Sequence, residues 1–334
     1  MKLLLLFLTC WVATVAGATS TARVRFEKKI WDRGPHNAFT DLIRHQERWV
    51  CTFREGRDHA SADGIIRVIE SADGETWSAA AELAESGIDL RDPKLSTMPD
   101  GRLMMVMGGS VMEGREYVTR QTRVAFSRDG RTWTAPQRIL GPRHWLWRVT
   151  WHQGRAYGVS YLGGGGLKDT RAAFLYTSEN GEDWTRVTAL DLPYPSETTL
   201  RFLGDGEMVA LSVQMNPRPQ ARSTRIGSSR PPYLQWTWRE VPYAVGGPNF
   251  LVLPDGRWVA GTRKYEAGTP PRTSSVLAWL DRGRIEPFVQ FVSGGDTSYP
   301  GLVWHDGELW VSYYSSHEGK AAIYLARVQV PVRP

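Results

Sequence analysis

Polar and apolar positions along this chain change over on a short beat. From Val24 onward, brief apolar stretches alternate with turns carrying Gly, Asp or Asn, and helical periodicity is absent nearly everywhere. The predicted elements are therefore β-strands joined in hairpins. Six segments share one order: a polar opening, a short apolar strand, a turn with Gly, then a second strand rich in Val, Met and aromatics. They open at Asp41 (FTDLI), Asp92 (RDPKLS), Arg148 (WRVTW), Thr198 (ETTLRF), Asn249 (PNFLVL) and Ser298 (TSYPGLVW). The gaps between them are 51, 56, 50, 51 and 49 residues, a period that fits one supersecondary unit per repeat. Pro99-Asp100-Gly101, Asp205-Gly206, Asp255-Gly256 and Asp306-Gly307 mark the first hairpins, since Asp-Gly between apolar strands favours tight turns.

Three of the third strands end in a shared turn: Ser71-Ala72-Asp73-Gly74-Glu75-Thr76-Trp77, Ser127 to Trp133, and a looser copy from Ser178 to Trp184. Its Asp or Asn can cap backbone N–H groups, its Gly can take positive φ, and its Trp can plug the gap between neighbouring units. The last repeat stops at its third strand, Ala321 to Val330. Val24 to Asp32 supplies the missing fourth strand from the other end of the chain. That closes a ring and removes exposed sheet edges. The expected fold is all-β, a six-bladed β-propeller closed by its N-terminal strand, in one domain over residues 19–334.

Residues 1–18 read differently. Lys2 precedes an apolar run from Leu3 to Val15, followed by Ala16-Gly17-Ala18, the pattern of a cleavable secretory signal. The expectation is a secreted or periplasmic protein with no membrane span. Cys51 is then the single cysteine left, so no disulfide can form within the chain. The formal charge is +6, or +5 without Lys2, beside 15 tryptophans. With no Lys/Arg run and no recognition helix, this balance suits an acidic glycan partner rather than nucleic acid. A monomer is expected. No His/Cys/carboxylate cluster has zinc spacing, and neither metal nor cofactor is expected.

In a propeller the innermost strands line the channel, so residues at their starts and just past the second strands gather on one face. The starts supply Asp41, Arg91, Asp92, His144, Arg148, Glu197, Asn249 and Tyr299; the ends supply Arg54, Glu55, His59, Gln214, Arg263 and Tyr313. Each alone reads as a solvated charge or an inter-blade ion pair. Drawn from six repeats onto one face, they read as a site.

The repeats, the shared turns and several of these positions resemble the Asp-box (BNR) exo-α-sialidases, over the whole chain after the leader. That family carries Phe-Ala-Glu-x-Arg in its first blade, followed by a loop aspartate that acts as general acid. This chain has Phe53-Arg54-Glu55-Gly56-Arg57, then Asp58, His59 and Asp63. The family's fourth-blade glutamate matches Glu197 before Asp205-Gly206, and its nucleophilic tyrosine matches Tyr299 in Thr-Ser-Tyr-Pro-Gly-Leu. The resemblance implies Tyr299 as nucleophile and Glu197 as its base. It places the acid at an aspartate on that loop, Asp58 or Asp63; Glu55 and Asp92 are further catalytic candidates, and the remaining positions bind substrate. Two arginines of the family's three-arginine clamp are missing, since Thr40-Asp41-Leu42 and Gln214 stand at their places. Arg54 or Arg57, Arg91, Arg148 and Arg263 are left to hold an anion.

The implied activity is release of terminal sialic acid or a related acidic sugar. Sialic acid carries a carboxylate on its anomeric carbon, which would repel a carboxylate nucleophile but not a tyrosine. Two other readings stay open: a propeller glycosidase or polysaccharide lyase for uronate- or rhamnose-containing glycans, and a non-catalytic carbohydrate-binding propeller. Blades that differ at the mouth while agreeing at their turns favour a single asymmetric active site.

Overall fold

Period-2 alternation with Gly-bearing turns produces hairpins, and the hairpins stack four strands deep. The computed structural model describes residues 22–114, 116–163, 172–218, 221–266 and 272–331. The leader read at 1–18 lies outside them. Blade 1 holds β2 (His36–His45), β3 (Arg48–Gly56), β4 (Ile65–Ser71) and β5 (Ser78–Leu83). Blade 2 holds β6 (Asp89–Thr97), β7 (Leu103–Glu113), β8 (Glu116–Ser127) and β9 (Gln137–Arg138). Blade 3 holds β10 (His144–His152), β11 (Arg155–Leu162), β12 (Ala173–Ser178) and β13 (Thr185–Leu190). Blade 4 holds β14 (Pro195–Phe202), β15 (Met208–Gln214), β16 (Ser223–Ser229) and β17 (Thr237–Val241). Blade 5 holds β18 (Val245–Val252), β19 (Trp258–Glu266), β20 (Arg272–Leu280) and β21 (Ile285–Gln290). Blade 6 holds β22 (Thr297–His305), β23 (Glu308–Ser315) and β24 (Ala322–Gln329), with β1 (Arg23–Trp31) as its outer strand.

The ring closes as the sequence predicts: β1 pairs antiparallel with β24, from Arg23 opposite Gln329 to Trp31 opposite Ile323. Among the described residues there is no α-helix, and no helix is long and apolar enough to cross a membrane. Cys51 is a free, buried thiol.

The core is six seams rather than one centre. Each seam has its own apolar cluster, such as Val50, Ile66, Met105 and Ala125 between blades 1 and 2, or Trp147, Val159, Leu200 and Met208 between blades 3 and 4. The three Trp-bearing turns act across seams. Ser71 Oγ accepts the Gly74 amide, Asp73 accepts the amides of Glu75 and Thr76, and Trp77 Nε1 donates to the Gly74 carbonyl. The same bonds recur from Ser127 to Trp133 and from Ser178 to Trp184. Each turn glycine has positive φ and faces the second strand of the preceding blade. A Cβ on Gly74 would lie 2.3 Å from Trp310, and one on Gly130 would lie 3.3 Å from Val50.

One irregularity repeats six times. Every innermost strand carries a bulge one to three residues from its start, leaving two residues without partners on the second strand. These pairs are Phe39-Thr40, Asp92-Pro93, Trp147-Arg148, Ser196-Glu197, Gly247-Pro248 and Tyr299-Pro300. Phe39, Asp92, Gly247 and Tyr299 have φ of 65°, 53°, 60° and 54°. Bulges re-aim side chains at barrel rims, and proline tolerates them because it has no N–H to pair. Here six bulges turn side chains toward one axis.

Candidate active site

Three of the bulges build the centre of the site. From blade 6, the Tyr299 hydroxyl donates to Glu197 Oε1 of blade 4 at 2.6 Å. From blade 5, the Gly247 amide donates to Glu197 Oε2 at 2.7 Å. Both Tyr299 and Glu197 are half-buried, so each keeps a face toward solvent. Burial pushes the Glu197 carboxyl above its ordinary value, partly countered by the Tyr299 hydroxyl. Burial, with the nearby carboxylates of Glu197 and Asp92, pushes the Tyr299 phenol up as well. At rest the phenol therefore holds its proton and donates it in a hydrogen bond to Glu197.

Beneath this pair lies an aromatic floor. Phe39 and Trp147 meet the Tyr299 ring edge-on at centroid distances of 5.0 and 5.4 Å, and Tyr314 lies 6.2 Å away. Lys94, only 2% exposed, sets its Nζ 5.0 Å from the Trp147 ring and 5.1 Å from the Tyr299 ring. Burial, with Arg148 nearby, lowers the Lys94 amine to about 8. A cation beneath the phenol ring favours negative charge developing on it.

Charged groups rim the floor. Arg263 donates to the Thr297 carbonyl and the Tyr314 hydroxyl, with its guanidinium carbon 5.7 Å from the Tyr299 ring. Arg91 lies over Phe39 at 4.8 Å, bonds the Tyr117 hydroxyl, and donates to the His59 carbonyl at 2.9 Å. Arg120 stacks on Trp145 and Tyr161, and its Nε is buried with no partner among the described residues. Asp92 Oδ1 is likewise buried and without a partner there. A strained backbone holding an unpartnered carboxylate is a feature of functional sites.

Beside the floor, Asp296 Oδ2 meets His36 Nε2 at 2.8 Å and His59 Nδ1 at 3.2 Å, while Oδ1 accepts the Tyr314 hydroxyl at 3.0 Å. Burial alone would raise the Asp296 carboxyl, but the two imidazoles outweigh it and hold it far below the usual range. Among the described residues this trio has the spacing to hold a cation, with its ligand atoms within 4.8 Å of one another. Its contacts already satisfy one another as hydrogen bonds.

Several residues picked from sequence lie elsewhere. Arg54 is 0% exposed, with Nε on Asp89 at 2.7 Å and its other nitrogens on the Asp58 carbonyl and Ser61. It moors a loop and offers no free donor to a substrate. Glu55 turns to the seam with blade 6, accepting from Trp31 Nε1 and Arg67 Nε. Asp63 accepts the Arg57 amide with both oxygens on the exposed loop. Asp41 and Arg148 form a buried ion pair at 2.9 Å across the channel, and Asn249 bridges Arg201 and the Pro300 carbonyl, so these three brace the channel wall. Gln214 is buried on Ser212. His144 bonds Ser160 Oγ beside Phe174 and Tyr176, and burial with the neighbouring Arg143 lowers its pKa.

Tyr313 is displaced by parity. It stacks on Phe291 and Tyr324 inside the seam between blades 5 and 6 and bonds Glu27. The position opposite Ser298, equivalent to Arg263 opposite Gly246, belongs to Tyr314. A one-residue slip moves a strand side chain to the other face. Lys94, Arg120, His36, Asp296, Tyr314 and Gly247 belong to the site but were not singled out from sequence. Lys94 carried a readable signal, a lysine inside an otherwise apolar inner strand.

No family model matches the chain, and no curated protein matches it. Solved structures do. A protein of unknown function from Dyadobacter fermentans matches with a TM-score of 0.79 at 17% identity, over 92% of this chain and 99% of that one. An α-L-arabinofuranosidase of Fusarium graminearum, solved with an iminosugar inhibitor, gives 0.68 at 15% identity, over 92% and 97%. A Trypanosoma rangeli sialidase gives 0.66 at 12% identity, over 88% of this chain and 55% of that one, so this chain spans about half the sialidase's length. At these identities the likeness is one of fold: this chain is a six-bladed propeller of the architecture found in that sialidase and that arabinofuranosidase.

Proposed function

We propose that this chain is an exported glycoside hydrolase that uses Tyr299 as nucleophile and Glu197 as its base to release a terminal acidic sugar such as sialic acid. The observation that carries the reading is the 2.6 Å bond between the two side chains at the bulged rim. A phenol attacking an anomeric carbon must lose its proton during the step, and Glu197 Oε1 is in reach to take it. Lys94 beneath the ring and Arg263 beside it favour the phenolate character that develops. Arg263 beside the Tyr299 ring, Arg91 over Phe39 and Arg120 over Trp145 are the guanidinium groups to meet a substrate carboxylate. The fold shared with a sialidase supports the same reading.

A second reading rests on one observation. Arg54 and Arg148 are engaged by Asp89 and Asp41, so a three-arginine clamp cannot include them. A neutral furanoside would suit a site with fewer free arginines, and the fold is shared with an arabinofuranosidase as well. The deciding experiment offers the purified protein aryl glycosides of sialic acid, uronic acids, rhamnose and L-arabinofuranose. Turnover of the sialoside, with none of the neutral sugars, is the expected result. Turnover of the arabinofuranoside alone selects the second reading. Binding of glycans without turnover of any glycoside makes the protein a lectin.

A further inference from the structure

We propose that His59, held by Asp296, is the acid that protonates the leaving group. The inference rests on the glycosidase reading above. Such a reaction needs a proton donor beside the nucleophile on the solvent side, and the carboxylates near Tyr299 fit poorly. Asp63 turns both oxygens to the Arg57 amide, which favours its ionised form. Asp58 accepts the Ala60 amide within its own loop. Glu55 is closed into a seam by Trp31 and Arg67. Asp92 is almost wholly buried.

His59 has what these lack. Its side chain is 48% exposed. Its ring stands edge-on to Phe39 at 5.1 Å, on the same Phe39 ring that meets Tyr299 at 5.0 Å. Imidazole and phenol therefore flank one buried side chain. Nδ1 faces Asp296 at 3.2 Å, and Nε2 has no partner among the described residues. A carboxylate accepting from Nδ1–H orients the ring and turns Nε2 outward, where it carries a proton to donate in the imidazolium form that the carboxylate stabilises.

The loop is held in place by its backbone. Arg54 donates to the carbonyls of Asp58 and Ser61, and Arg91 to that of His59. The charged and titratable groups around the imidazole are thus Asp296 and His36 beside it, Asp58 and Asp63 on its own loop, Arg54 and Arg91 beneath, and Tyr314 behind Asp296. Asp296 also couples acid to nucleophile: Oδ1 accepts from Tyr314, which accepts from Arg263, which lies beside Tyr299.

The steps balance. The Tyr299 oxygen bonds the anomeric carbon and its proton passes to Glu197. The glycosidic C–O bond breaks toward the leaving oxygen, which takes the Nε2 proton of protonated His59 and departs as an alcohol. Water then enters, His59 takes one of its protons, and the resulting hydroxide bonds the anomeric carbon. The aryl ether breaks, and the phenolate recovers its proton from Glu197.

The test compares two substrates of the same sugar, one with a 4-nitrophenol leaving group and one with an alkyl alcohol. 4-Nitrophenolate departs without help, whereas the alkyl alcohol needs the proton. His59→Ala should lose about a hundred- to ten-thousand-fold in kcat/KM on the alkyl glycoside and less than about tenfold on the nitrophenyl one. Added imidazole should restore alkyl cleavage. Asp296→Asn should show the same selectivity to a smaller degree, with its pH profile altered. Equal losses on both substrates overturn the acid role. So does parent activity that chelation abolishes and zinc restores, since the trio would then be a metal site. A parent protein that cleaves neither substrate refutes the glycosidase reading itself, and this inference with it, on data from the parent alone.

Discussion

Glu197 and Tyr299 meet at 2.6 Å across 102 residues of chain, from blades 4 and 6. Each stands in the bulge of its own inner strand, so the backbone irregularity of two repeats makes the pair. If the pair is one catalytic unit, Tyr299→Phe removes the nucleophile while keeping its packing on Phe39 and Trp147. Glu197→Gln removes the base while keeping its shape. Each change should lower kcat by at least about a thousandfold, and the double change should cost little more than the worse single one. The raised Glu197 carboxyl sets the sign of the pH dependence. The base works only when ionised, so the acid limb of kcat/KM in the parent should fall above the ordinary glutamate value of 4.5. Near-parent turnover in Tyr299→Phe, on the glycoside found by the screen, would falsify the tyrosine mechanism.

Gly247 should be as sensitive as the residues it supports. Its φ is +60°, and an added Cβ would lie 2.6 Å from Ser298 Oγ and 3.0 Å from the Tyr299 ring. Gly247→Ala costs about 1–2 kcal/mol for the left-handed backbone and also displaces Tyr299 or the amide that holds Glu197. Gly206→Ala is the control: φ is +80° there too, but nothing lies within 4 Å of the added Cβ. Gly206→Ala should lose the backbone cost alone by thermal melting and keep parent kcat, whereas Gly247→Ala should lose at least as much stability and at least about tenfold in kcat. Equal activities would mean the close approach to Tyr299 is slack.

The Trp-bearing turns predict an acid sensitivity. Asp129 is held down to about 2 by the amides of Thr132 and Arg131, from an ordinary 3.8. A depressed folded-state value contributes stability that is present above about pH 4 and lost as pH falls toward 2. Asn180 forms the same amide bonds in blade 3 with a side chain that does not titrate. Asp129→Asn should therefore keep the fold and flatten the fall in melting temperature between pH 4 and pH 2. An unchanged slope would show that this turn does not contribute to acid unfolding.

Closure of the ring can be tested by removing β1. Deleting residues 19–32 bares the β24 edge and takes Trp31 from its cluster with Trp49 and Trp310. The melting temperature should drop by roughly 10 °C or more, with a broader transition and a tendency to associate through the open edge. A truncated protein that melts like its parent would mean the other five seams suffice.

Much of the architecture was written in local pattern. The fifty-residue beat, the Asp-Gly hairpins and the unfinished last repeat led to six blades and to closure by the N-terminal strand. All three are short-range signals, because turns and alternation depend on neighbours in sequence. Strand starts also pointed to Glu197 and Tyr299, since a polar residue opening an apolar inner strand stands out. Where sequence reading stopped was the face each side chain takes. Along β23, which pairs with β24 without a break, Tyr313 keeps the seam face of Leu309 and Val311, so Tyr314 takes the face toward the site. The bulges that aim the inner-strand side chains are not revealed by pattern alone. Partnership was equally hidden. Arg54 and Arg148 look like free cations along the chain, yet Asp89 and Asp41 engage them from other blades. His36, His59 and Asp296 become neighbours only because closing the ring brings blade 6 against blade 1. Hydrogen bonds and ion pairs between blades depend on distances in space, which six near-equal repeats leave open until the ring is closed and packed.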